Sequence, residues 1–256
     1  DGPSTLFEII NTFVKDTTLT ALERTPDNRW VKVEIELEDE PAIEGWMAAE
    51  FLQLDGEISA LPLANVPQSQ IIKGRIEDTE GNPIFGINIA AVLQNDQVDL
   101  RTDVASNVDG NFEVYLPEDL FGTFDIQIVS WLCESSVADL NCQFSGYVQV
   151  IDRAFITVPQ EEEILFIYEK TGLIVSGSVL DSDEEPVAQI NVRAERDDGA
   201  ISFGRTDALG DFSMPIAAGT WEIFAVIFDP EFSEGERVNL EVTETNPEDI
   251  ELQAPE

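Results

Sequence analysis

The sequence contains no histidine, and its 256 residues include only two cysteines and 13 basic side chains. Without histidine the commonest general base is missing, together with Ser-His and Cys-His nucleophile pairs and the usual zinc ligands. Phosphate-cradling glycine loops and dinucleotide fingerprints are absent as well. Set against 52 Asp and Glu, so few Lys and Arg leave a formal net charge of -39. Displacing counterions from phosphate needs clustered cations, so nucleic-acid binding is excluded and an anionic lipid surface is repelled. No apolar run approaches a membrane span and no signal peptide remains, so the expected product is mature and secreted, without membrane insertion. Helical periodicity is scarce too, with short turns at 47–51 and 117–121 the best candidates.

What the chain has is alternation and repetition. Apolar residues make up 43% of it, enough for real cores. Period-two patterns at 31–37, 71–76, 173–179 and 221–226 predict strands with one face buried, and an all-β architecture. Gly74, Ile76, Asp78, Pro83, Ile84, Ile87, Asn88 and Ile89 recur in the same order and spacing as Gly177, Val179, Asp181, Pro186, Val187, Ile190, Asn191 and Val192. Each copy then meets a similar turn, 106–112 in the first and 206–212 in the second. In that turn Asn107 or Asp207 is placed to bond the backbone ahead, Gly110 or Gly210 to take positive φ, and Phe112 or Phe212 to return to the core. A repeated scaffold of small modules follows: residues 1–60, a linker at 61–70 marked by Pro62 and Pro67, then 71–170 and 171–256.

The first repeat carries an insertion around residues 130–153 that holds Cys133, Cys142 and Trp131. A disulfide between these cysteines fits an oxidising, extracellular compartment, and two free thiols would fit a cytosolic one. The exported character of the chain favours the disulfide.

The repeated Gly-x-Ile/Val-x-Asp, the following Pro, the Gly-x-Phe turn and the Gly-Thr-aromatic at Gly122-Thr123-Phe124 and Gly219-Thr220-Trp221 resemble the carboxypeptidase regulatory-like family of transthyretin-type, Ig-like β-sandwiches. That resemblance implies non-catalytic spacers, stalks or adhesion units of secreted and cell-surface proteins, with occasional glycan contacts. The first module resembles a bacterial SH3 domain, an SH3-like barrel, through Gly2-Pro3-Ser4, a strand pair around 14–22, Arg29-Trp30-Val31-Lys32-Val33 and Gly45-Trp46-Met47. Members of that family carry a strand before the Gly-Pro-Ser turn. A chain starting at Asp1 would lack that edge, and strand addition from a neighbouring subunit is the expected remedy. Many members bind cell-wall peptide or glycan, which makes Trp30 and Trp46 candidate ligand aromatics as well as candidate core residues.

Hard cations prefer several carboxylate oxygens, so calcium is the cofactor most compatible with the composition, and Asp181, Asp183, Asp197 and Asp198 are its candidate ligands. Solvated turn acids are the competing reading. The function these features point to is a non-catalytic extracellular structural protein, a homo-oligomer or homopolymer joined through strand edges or apolar patches. The alternative is a peptidoglycan- or glycan-binding anchor and spacer.

Overall fold

The computed structural model describes residues 2–37, 40–66, 69–93, 100–131, 146–150, 153–160, 162–227 and 232–255. The strands are β1 (Thr20–Arg24), β2 (Trp30–Leu37), β3 (Glu40–Ala48), β4 (Ser69–Asp78), β5 (Ile87–Leu93), β6 (Leu100–Ala105) and β7 (Asn111–Pro117). They continue with β8 (Gly122–Trp131), β9 (Tyr147–Gln149), β10 (Arg153–Val158), β11 (Ile164–Lys170), β12 (Leu173–Leu180) and β13 (Asn191–Arg196). The last are β14 (Ile201–Arg205), β15 (Asp211–Ile216), β16 (Gly219–Ile227), β17 (Ser233–Glu234), β18 (Val238–Val242) and β19 (Ile250–Gln253). Helix among the described residues is confined to two 3-10 turns, Ala49–Phe51 and Ile58–Ala60, so the protein is all-β.

The chain divides into two compact units. The first holds the antiparallel sheet β1-β2-β3, the four-stranded sheet β10-β8-β5-β6, and β4 paired antiparallel with β7. Alternation builds its core: Ile72, Gly74 and Ile76 of β4 point inward, as do Phe112, Val114 and Leu116 of β7. Phe124 and Ile126 of β8 and Ile87 and Ile89 of β5 are likewise fully buried. The second unit pairs a sheet ordered β17-β16-β13-β14-β9-β11, with β18 also on β16, against β15-β12-β19. There β19 runs parallel to β12 and the other pairings are antiparallel. Its core centres on Trp221, whose indole N–H donates to the Ala217 carbonyl at 2.8 Å, packed among Val175, Val179, Val192, Met214 and Leu252. Each large side chain removed from water in this way contributes roughly 1.5–3 kcal/mol.

The repeat is reproduced bond for bond. Asp78 Oδ1 accepts the N–H groups of Glu80 and Asn82, both at 2.9 Å, and Asp181 Oδ1 accepts those of Asp183 and Glu185 at 2.9 and 3.0 Å. Asn107 Oδ1 takes the N–H groups of Asp109 and Asn111, and Asp207 Oδ1 those of Leu209 and Asp211. Gly110 and Gly210 close these turns at φ +75° and +81°, each lying against a proline, Pro83 or Pro186. Side-chain oxygens thus satisfy turn N–H groups that the ladders cannot reach.

Two features of the first unit differ from the sequence expectation. Only β1 forms in the expected strand pair around 14–22, and Gly2–Leu19 runs in turns and irregular backbone, with the Ile10 side chain close to Gly45 of β3. The segment at 61–70, expected as a linker, is tied to β1: the Arg24 N–H donates to the Pro62 carbonyl and the Ala64 N–H to the Arg24 carbonyl, both at 2.9 Å. Proline has no N–H to give, but its carbonyl still serves a strand edge. The first module also covers the outer edge of β6. Asp27 Oδ2 accepts the Ala105 N–H at 3.2 Å, Thr5 Oγ1 donates to the Arg101 carbonyl at 2.8 Å, and Arg29 donates to Asn88 Oδ1.

Candidate functional site

The site that the described residues favour is an open cavity of about 320 Å³ in the first module. Its floor comes from the sheet: β2 contributes Trp30, Val33 and Ile35, and β3 contributes Ile43, Gly45, Trp46 and Met47. The ladder puts Val33 opposite Gly45 and Ile35 opposite Ile43, so the period of two gathers these positions on one face. Phe7, Ile9, Ile10 and Phe13 of the N-terminal segment form the wall, with Ser4, Thr5, Glu8 and Asn11 as polar members. Ile9 and Val14 of that segment are 83% and 82% exposed, a high value for aliphatic side chains beside a cavity.

Trp30 and Trp46 are both half-buried and both border the cavity, so each is available to a ligand while still packed on the sheet. Beside them the Lys32 ammonium sits 2.6 Å from the Glu44 carboxylate, and that hydrogen bond holds the lysine pKa above its ordinary value. Chemically the lining offers apolar and aromatic contact with one carboxylate, Glu8, which suits binding. The apolar N-terminal wall was not singled out from sequence. Its signal is the cluster Leu6, Phe7, Ile9, Ile10, Phe13 and Val14, which is rich in apolar residues but follows neither a helix nor a strand period.

The other candidates are dispersed. Trp131 ends β8, and its side chain, with Cys133 and Cys142, lies outside the described residues. The calcium candidates do not converge: among the described residues no three acidic or thiol groups are placed to hold a metal. Asp181 spends its Oδ1 on the turn N–H groups, and Asp183 and Asp197 are exposed. Asp198 is bound by Arg196, Nε to Oδ1 and Nη2 to Oδ2 at 2.9 Å each, which holds its carboxyl below the usual range. A guanidinium already neutralises the charge that a divalent ion would need.

Arginine serves instead as the organising cation of the second unit. Arg196 also reaches Glu169 at 2.7 Å and lies over the Trp221 ring at 5.2 Å. Arg237 binds Glu195, Glu222 and Glu234 at 2.9, 2.7 and 3.0 Å and stacks 4.0 Å from the Phe224 ring centre. Those three carboxylate hydrogen bonds push its pKa up, and Glu234 is correspondingly held low.

These features define an all-β chain with an apolar cavity in its first module. No family model matches the chain, and no curated protein matches its sequence. Among solved structures, a point variant of shaft pilin spaA from Lactobacillus rhamnosus GG aligns over 73% of this chain and 98% of its own, at 9% identity and a TM-score of 0.31. A Streptococcal ancillary pilin aligns over 88% and 75%, at 11% identity and 0.31. GBS52, a minor pilin of Streptococcus agalactiae, aligns over 71% and 94%, at 10% identity and 0.28. At TM-scores this low, the likenesses carry no weight for fold or function, which rest on the strands and side chains above.

Proposed function

We propose that the chain is a non-catalytic extracellular structural protein, a subunit of a cell-surface filament, sheath or comparable assembly. The observation that carries this reading is how the repeated residues are used: Asp78, Ser106, Asn107, Gly110 and Phe112, with their counterparts in the second copy, all serve turns and cores. What is duplicated is therefore load-carrying scaffold, with the variable surfaces left for contacts. In this reading the modules are an SH3-like unit followed by two carboxypeptidase regulatory-like sandwiches. Large apolar side chains stand exposed at loops and strand faces, among them Phe51, Phe85, Val108, Phe155 and Leu209. They are the apolar patches through which copies would meet, because a charge of -39 opposes long-range attraction between like chains.

Negative-stain microscopy of native surface material, followed by reassembly of purified chain across a salt and divalent-cation series, tests this reading. Filaments that form more readily as ions are added are expected. A chain that remains monomeric in every condition would refute it.

A second reading is favoured by the cavity at Trp30 and Trp46: an anchor that binds peptidoglycan or glycan, with the sandwiches as spacers. Pull-down on purified cell walls distinguishes the two, since retention lost in a Trp46→Ala variant is expected only of the anchor.

A further inference from the structure

We propose that β3 and the cavity beside it form a docking surface for an extended, cationic segment of another protein, which adds to the sheet as a fourth strand. The strand order β1-β2-β3 leaves β3 at the end of its sheet. Among the described residues no strand pairs with its outer edge, whereas β1 at the opposite end is bonded to Pro62 and Ala64, and the outer edge of β6 is covered by Asp27 and Thr5. The outward N–H and C=O groups of this nine-residue strand, apart from Pro41, which has no N–H, offer a template for an added strand.

Specificity comes from the side chains along the same strand. Ile43, Gly45 and Met47 alternate along β3 and all border the cavity, so an incoming strand in register would lay every second side chain toward that apolar space. The intervening positions of β3 include Glu44, which stands opposite Glu34 of β2. Glu34 and Glu44, paired across β2 and β3, with Glu36 further along β2, outnumber the single cation of these two strands, Lys32. The cations of β1, β2 and the loop between them are already engaged: Lys32 by Glu44, Arg24 by the Leu61 carbonyl and Arg29 by Asn88.

Charge then selects the occupant. A second copy of this chain would bring its own excess of carboxylates to an edge that is already acidic. A segment alternating apolar residues with Lys or Arg is complementary at both sets of positions. This inference goes beyond the assembly reading, since it concerns a different protein and holds whether or not the chain polymerises.

The experiment titrates full-length chain with a short peptide of alternating valine and lysine and, in parallel, with one of alternating valine and glutamate, following backbone amide exchange. The valine–lysine peptide is expected to slow exchange within β3 at least tenfold, with affinity falling as salt is raised. Met47→Lys at the cavity and Ile9→Lys at its exposed rim are both expected to weaken binding at least tenfold. Because Ile9 is almost fully exposed, its variant keeps the test valid should Met47→Lys fail to fold. Equal binding of both peptides, protection mapping to strands other than β3, or outward-facing β3 amides already protected in the protein alone would each overturn the proposal. Peptide binding in a chain that forms no filaments would support it and count against assembly alone.

Discussion

Asp27 Oδ2 accepts the backbone N–H of Ala105 at 3.2 Å, joining the first module to the edge of the first sandwich. The same carboxylate takes the Thr25 hydroxyl at 2.6 Å and the Arg29 N–H at 3.1 Å through Oδ1, so it is held in place from its own side. Ala105 is buried, and its N–H would have no substitute partner. Asp27→Ala is expected to cost about 1–3 kcal/mol of stability. Urea denaturation measures the loss, and amide exchange should show residues 101–105 opening ahead of the rest of the unit.

Gly74 faces the Phe112 ring across the β4–β7 ladder, and Gly177 faces Phe212 across β12–β15. A methyl group at Gly74 would collide with that ring, and one at Gly177 with the Ile250 carbonyl of β19. Both Gly→Ala variants should be destabilised by about 1–3 kcal/mol through overpacking. Gly56→Ala, where an added methyl meets nothing within 4 Å, is expected to be neutral or slightly stabilising under the same denaturation assay.

Ser106 Oγ donates to the Ile84 carbonyl at 2.8 Å and accepts the Ile87 N–H at 2.9 Å. Thr206 makes the equivalent pair with Val187 and Ile190. Ser106→Ala leaves a buried donor and acceptor unpaired and should lower stability by about 1–3 kcal/mol. Ser106→Thr, which writes the second copy's residue into the first, should retain most of it, and thermal unfolding of the pair separates the outcomes.

Arg237 neutralises Glu195, Glu222 and Glu234 on a part-exposed face. Arg237→Gln should cost about 1 kcal/mol, since solvent screens each pair. The three carboxylates left behind repel one another, so the deficit should shrink as salt is added, whereas a simple loss of packing would be indifferent to salt. Denaturation at low and high ionic strength is the deciding measurement.

Acid should unfold the chain through particular carboxylates. Asp78 is held below its ordinary pKa by the side-chain and backbone N–H groups of Asn82, and Asp198 by Arg196. A folded pKa below the unfolded one gives stability that is fully present above the ordinary carboxylate range and is lost as pH falls through the lowered values. Stability should therefore be flat near neutrality and decline on the acid side. Asp78→Asn should show a shallower acid limb, and an unchanged limb would remove Asp78 from the account.

The strands and the duplicated turns were legible because their causes are local. Alternation at 71–76 or 221–226 follows from a two-residue period, and the Asp78 and Asn107 turns follow from side chains that reach backbone two and four residues ahead. Which cation meets the calcium candidates was not legible, because acidic clustering in sequence says nothing of which cation reaches a carboxylate first, and Arg196 is bonded to Asp198. The cavity was half legible: Trp30 and Trp46 stood out, but its N-terminal wall did not, since Phe7 and Ile10 follow no period.

By itself, then, the sequence determined the all-β class, the repeat and the charge, which depend on composition and on spacings shorter than a turn. Tertiary structure alone decided which strand edges find a partner. Edge pairing is a contact between residues far apart in the chain, as Asp27 with Ala105 shows, and no local pattern encodes whether such a partner arrives.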